Sequence, residues 1–187
     1  MSDSDFPTKL LWIDLEMTGL NPKQDLILEV AAVVTDFDFK ELARYESIIS
    51  HDINKVIRLM NLNEWWSKFP DSRDAIIKRI DDGESLKTVE GELVRMVKQN
   101  FGNNLAILSG NSIHQDRKFV ENWWPELNKL LHYRMFDVTS LKIYMSGKFG
   151  VEYEKRSAHR AVEDIQESMD EWKYYMNWLS ENTPTKD

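Results

Sequence analysis

The sequence predicts an α/β fold in which a mixed β-sheet is flanked by helices. Two features of its hydrophobic pattern predict this. Three apolar, β-branched runs follow one another early in the chain, and from residue 54 onward helical and strand periodicities alternate. Lys9 to Glu16 (KLLWIDLE) reads as a buried strand, Leu26 to Asp36 (LILEVAAVVTD) as a second and Arg44 to Ser50 (RYESIIS) as a third. Their short links favour an antiparallel meander, because parallel pairing needs a longer crossover. Residues 54–83 are helical by spacing, with a break at Phe69-Pro70, where proline disfavours helix in the residue before it. The next helix runs from Leu86 to Asn100, with Ser85 its candidate N-cap and Gly102 just past its end. Leu105 to Ser109 is a short strand, Gln115 to His132 a helix and Tyr133 to Val138 a last short strand. Helices follow at Ser140 to Lys148 and from about Ala158 to Leu179.

A chain of 187 residues is long enough for one full core and too short for two comfortable domains. One domain is therefore expected over residues 1–187, folded from about residue 10 to 180 between short polar ends. Hydrophobic residues at 42%, charged residues at 30%, and only 7 Gly and 5 Pro argue against disorder. With no Cys, thiolate metal sites, disulfides and cysteine nucleophiles are excluded, so any metal must use carboxylates or histidine. The net charge of −8 disfavours a long basic track for extended nucleic acid, but it permits a short nucleotide held by metals. The N-terminus is polar and acidic, and the apolar run Leu10 to Ile13 is too short for a signal or transmembrane segment. These features predict a protein that does not enter membranes and works in the cytoplasm or an organelle such as the mitochondrion.

Acidic residues then recur where apolar ones belong. Side chains two apart in a strand share a face, so Asp14 and Glu16 project together while Ile13 and Leu15 point the other way. Adjacent anions in a hydrophobic strand are costly without a cation, although an edge strand with a solvated face would show the same D-x-E spacing. Asp116 precedes Phe119, Val120 and Trp123 at helical intervals and so belongs to an inward face, though an acid near a helix start is also favoured by the helix dipole alone. Asp164 shares a helix side with Ala161, Ile165, Ser168 and Trp172. Acids are rarely buried unpaired, and convergence on a divalent cation accounts for all four at once. Such a set suits Mg²⁺ or Mn²⁺, hard ions that prefer oxygen ligands, better than zinc. His159, five residues before Asp164, lies where an imidazole could overhang the site and accept a proton near neutral pH.

The segments W12-I-D-L-E-M-T-G-L20, G110-N-S-I-H-Q-D-R-K-F119, H132-Y-R-M-F-D-V-T-S140 and H159-R-A-V-E-D164 resemble the oligoribonucleases, members of the DEDD exonucleases that carry an extra histidine. They recur in the family's order from about Leu10 to Tyr175. The resemblance implies a ribonuclease H-like fold and a homodimer that degrades very short single-stranded RNA, dinucleotides especially, from the 3′ end to 5′-mononucleotides. It implies two divalent cations, with Asp14 bridging both, Glu16 and Asp164 completing one site and Asp116 ordering the other through water. His159 would accept the proton of the attacking water. By the same resemblance, Leu20 wedges against a base and Trp65 packs near it. Ser112, Tyr133, Arg134 and Thr139 match positions that cap the substrate's 5′-phosphate, Tyr133 and Arg134 coming from the other subunit. The chain departs from the family at W65-W-S-K-F-P70, where a histidine commonly follows the tryptophan and here none does. Two other readings compete: a related exonuclease that trims longer RNA or DNA, which would need a basic groove, and a non-catalytic module that binds dinucleotides as a dimer.

Overall fold

The computed structural model describes residues 7–154 and 161–182. The three early runs become β1 (Leu10–Met17), β2 (Ile27–Thr35) and β3 (Glu41–Ile48), paired antiparallel in sequence order as their short links predict. β4 (Ala106–Gly110) and β5 (Leu131–Asp137) add in parallel on the free side of β1, giving the order β3-β2-β1-β4-β5. All nine residues of β2 are buried, because helices cover both faces of the sheet at this point.

Alternation along β1 separates two cores. Leu11, Ile13 and Leu15 pack with Val89, Leu93 and Val97 of α4 (Leu86–Phe101), Phe119 and Val120 of α5 (His114–Trp123), and Leu127 of α6 (Pro125–Asn128). Leu10 and Trp12 face the other way, against Val138 of α7 (Val138–Phe149) and Ala161, Ile165 and Met169 of α8 (Ala161–Asn182). Trp12 anchors this second core: its indole meets the edges of Phe39 and Phe136 at 5.4 and 5.8 Å, and its Nε1 donates to Thr35 Oγ1 at 2.9 Å. A third cluster gathers Leu26, Leu28 and Ile48 under Val56 and Met60 of α1 (Ile53–Asn61), Trp66 of α2 (Glu64–Lys68) and Ile76 of α3 (Pro70–Ile77).

Local chemistry explains where elements stop. Ser85 Oγ accepts the Thr88 N–H at 3.1 Å at the start of α4, and Gly102, at φ +60, ends that helix in a region that penalises a Cβ. The stretch expected to break once, at Phe69-Pro70, breaks three times, before Glu64, at Phe69 and again between Ile77 and the short 3-10 turn Ile80–Asp82. Asn63 turns its side-chain oxygen onto the Trp65 N–H (3.0 Å) and restarts the helix there. The helix expected over Gln115 to His132 is a correction: it stops at Trp123. Trp124 is extended at φ −130, ψ 67, as the residue before a proline prefers, and Pro125 opens the separate short helix α6. β5 accordingly begins at Leu131. α7 begins two residues before the expected Ser140, because Asp137 caps it by accepting the Thr139 N–H at 3.0 Å. The expected start of the closing helix at Ala158 lies outside the described residues. Among the described residues no helix is long and apolar enough to cross a membrane.

Thr35 is fully buried and gives the Trp12 indole its acceptor. Thr35→Val keeps the volume and strands that N–H, so it should lower stability by about 1–3 kcal/mol in urea titrations without changing the far-ultraviolet circular dichroism.

Candidate active site

On the α8 side of β1, the residues after Leu10 and Trp12 are Asp14 and Glu16. β4 pairs with β1 only at Leu11 and Trp12, so the last turn of the β1 pleat runs on past the end of its parallel neighbour. Asp164 of α8 joins them. One oxygen each from Asp14, Glu16 and Asp164 lies within 4.8 Å of the other two. Asp116 stands on the β4 side, where its Oδ1 accepts the Leu15 N–H at 3.0 Å and occupies the space that β4 has left. It lies outside the three-acid cluster, yet its charge reaches Glu16.

The electrostatics record the crowding. Burial, followed by the charges of Asp164, Glu29 and Asp116, pushes the Glu16 carboxyl up to about 8. Burial pushes Asp116 up to about 7 against the N–H bonds from its own backbone and from Leu15, and Asp137 adds to the rise. A divalent cation among these oxygens would reverse that balance, since it favours every ionised form. An all-carboxylate set of oxygens at this spacing fits a hard ion that keeps part of its water. The site therefore has the donors that a divalent metal requires. His159 lies outside the described residues.

Glu16 also lines a groove of about 1000 Å³. One wall is the loop after β1, whose tip carries Leu20, 65% exposed; the other carries Leu62, 78% exposed, and Trp65. The loop is stiff. Asp25 accepts from Thr18 Oγ1 (2.8 Å) and from the Asn21 N–H (2.9 Å), and a Cβ on Gly19 would sit 2.6 Å from the same carboxylate, which is why glycine stands there. The two walls are tied through one atom: the Thr18 carbonyl accepts from Asn63 Nδ2 (3.1 Å) and Trp66 Nε1 (3.2 Å). Trp65 rests edge-on against Trp66 with ring centres 4.7 Å apart.

Ser112 and Thr139 meet elsewhere, at the end of β4 and the start of α7. Ser112 has φ +49, and its N–H donates to Thr139 Oγ1 (2.8 Å) and Asp137 Oδ1 (3.0 Å). Tyr133, 72% exposed, and Arg134 point outward from β5, the guanidinium 5.3 Å from the Tyr133 ring centre. The structure thus unites Leu20 with Trp65 and Ser112 with Thr139, while Tyr133 and Arg134 stand apart from both pairs on the exposed side of β5. Sequence reasoning gave no role to Asp137 or Asn63, although each is an acid or amide just before a helix, the usual capping signal.

The exonuclease family model RNase T matches residues 11–172. The oligoribonuclease of Ruthia magnifica is 36% identical over 173 residues and that of Francisella tularensis 37% identical over 174, in each case across 91% of this chain and 95% of the relative. The chain belongs to the oligoribonuclease family of exonucleases. Its fold is shared with E. coli exonuclease I, solved with zinc and single-stranded DNA, at a TM-score of 0.62 and 13% identity. That match covers 92% of this chain but 43% of exonuclease I, so this oligoribonuclease-family chain spans less than half the length of that protein. The likeness bears on the fold alone, which is ribonuclease H-like as the motifs imply.

Between the ordinary glutamate value of 4.5 and about 8, folded Glu16 keeps a proton that the unfolded chain releases, and Asp116 acts in the same direction up to about 7. The folded state binds more protons in this window, so the stability of cation-free protein should fall as pH rises from 5 to 8 and level off above. Urea midpoints measured in chelator should show this decline, Glu16→Gln should flatten it, and Mn²⁺ should remove it. A midpoint that climbs across the window would contradict the geometry.

Proposed function

We propose that this chain removes nucleotides from the 3′ end of very short single-stranded RNA, dinucleotides above all, and releases 5′-mononucleotides. The observation that carries this is the cluster of Asp14, Glu16 and Asp164, whose Glu16 lines a groove bounded by Leu20 and Trp65. With Asp116 beside them, these acids would hold two divalent cations, Mg²⁺ or Mn²⁺, which supply polarisation of the scissile phosphate and neutralise charge on the leaving oxygen. The chain's own groups do the rest. His159 accepts the proton of the attacking water as its oxygen bonds to phosphorus and the bond to the 3′ oxygen breaks. Leu20 and Trp65 flank the base and orient that phosphate.

Ser112, held in place by Thr139, offers its hydroxyl to the substrate's 5′-phosphate, joined by Tyr133 and Arg134 of the partner subunit, where the guanidinium can pair two donors with phosphate oxygens. A homodimer accords with exposed Tyr133 and Met135 on the edge strand β5 and with exposed Ile143 and Tyr144 on α7 beside it. The proposed setting is the cytoplasm or an organelle. A net charge of −8 weighs against tracking a long backbone.

The test is product formation from a 5′-labelled diribonucleotide. Purified protein with Mn²⁺ should release labelled mononucleotide, chelator should stop it, and Asp14→Ala should nearly abolish it. Normal hydrolysis by Asp14→Ala refutes the assignment. His159→Ala should slow turnover far more than it weakens Mn²⁺ binding measured by calorimetry. Two-residue RNA should outrun twenty-residue RNA in kcat/KM, and the reverse order would favour an enzyme that trims long chains.

A further inference from the structure

We infer that Glu171 of α8 is a positioning residue, which fixes the direction of the hydroxyl pair formed by Ser112 and Thr139 and thereby tunes recognition of the substrate's 5′-phosphate. The inference rests on the reading of that pair as the 5′-phosphate cap. Glu171 has no solvent exposure and lies two helical turns from Asp164, outside the three-acid cluster. Its Oε1 accepts from the Tyr175 hydroxyl at 3.1 Å and lies 3.6 Å from the Lys142 ammonium. Its Oε2 accepts from Asn111 Nδ2 at 3.0 Å.

A carboxylate beside an ammonium can only accept, so it dictates which end of the Asn111 amide faces it. Ser168 Oγ reinforces the choice: it gives its own hydrogen to the Asp164 carbonyl (2.8 Å) and accepts from Asn111 Nδ2 at 2.9 Å. The amide nitrogen is held toward α8, and the amide oxygen therefore faces α7, where Thr139 Oγ1 donates to it at 3.2 Å. Thr139 has one hydroxyl hydrogen, and it is now committed. Its oxygen serves as acceptor for the Ser112 N–H at 2.8 Å, which also holds Ser112 at its positive φ. The two hydroxyl oxygens are 3.2 Å apart, and of the pair only Ser112 has a hydrogen left to turn onto a phosphate oxygen. One buried charge thus sets a run of hydrogen-bond directions from Glu171 through Asn111 and Thr139 to Ser112.

Glu171→Gln preserves shape but introduces a donor. Turned toward Lys142 its amide nitrogen meets a cation; turned toward Asn111 it forces that amide to reverse, and Thr139 gives its hydrogen back to the pair. The experiment compares two diribonucleotides that differ only in a 5′-phosphate, with Mn²⁺ present. The native protein should show the lower KM for the phosphorylated one. E171Q should raise that KM about three- to tenfold, the size of one weakened charged hydrogen bond, while kcat and the KM for the unphosphorylated substrate stay put. Thr139→Val should raise the KM for the phosphorylated substrate at least as much, and the double variant E171Q/T139V should lose no more than T139V alone. Equal effects on both substrates, a fall in kcat, or no effect would reduce Glu171 to support of the fold and overturn the inference. If circular dichroism shows that E171Q does not fold, Asn111→Ala cuts the same run at its middle and carries the same expectations. A native protein that ignores the 5′-phosphate, with T139V indistinguishable from it, would instead remove the cap reading, and with it the role given to Glu171.

Discussion

Mutually repelling carboxylates gathered at the end of β1 are the constraint around which the rest of this structure is arranged. β1 must run beyond β4 for the cluster to form, because a longer β4 would take the Leu15 N–H that Asp116 now accepts. The crevice beyond the carboxyl end of a strand is where open α/β sheets generally place ligands, since backbone groups and side chains of both neighbours are free there. Trp12, one pleat earlier, shows what maintains the strand at that length. Its burial and its bond to Thr35 tie β1 firmly to β2 and α8, so the uncovered end is carried on a rigid base.

The carboxylate pair Asp14 and Glu16 was legible because period-two alternation is a property of the strand alone, and Asp164 because its helix side is marked by Ala161 and Ile165. Asp116 was legible as an inward acid, but its partner was not. That bond depends on where one strand stops relative to another, and no local pattern encodes relative stagger. The helix expected through His132 ends at Trp123 because Pro125 disfavours helix in Trp124, a break that the helical spacing of the apolar residues around it conceals. Glu171 was invisible for a different reason. Acids on a helix rich in polar residues are ordinarily solvated, and only the packing of α7 and the β4–α5 turn onto α8 shows that this one is enclosed.

The groove gives the acid cluster its geometry of approach. The Thr18 carbonyl receives donors from both Asn63 and Trp66, so the separation of the Leu20 and Trp65 walls is set by bonds within the protein. Preformed walls lower the ordering cost of binding a small ligand that offers few contacts. For the short substrate proposed above this matters, since it cannot recruit affinity from a long phosphate track, and a net charge of −8 disfavours such a track.

Two of the inward acids of α8, Asp164 and Glu171, have surroundings that assign them opposite tasks. Asp164 faces two further carboxylates, and its charge works against ionisation of Glu16, a balance that a cation would shift the other way. Glu171 faces an amide N–H, a phenol and an ammonium, so the protein itself supplies what its charge needs. Sequence spacing cannot tell these two apart, since both lie on a buried side of one helix. The sign of what each meets can: an acid among acids is a place for a metal, and an acid among donors is a fixed point from which hydrogen bonds take their direction.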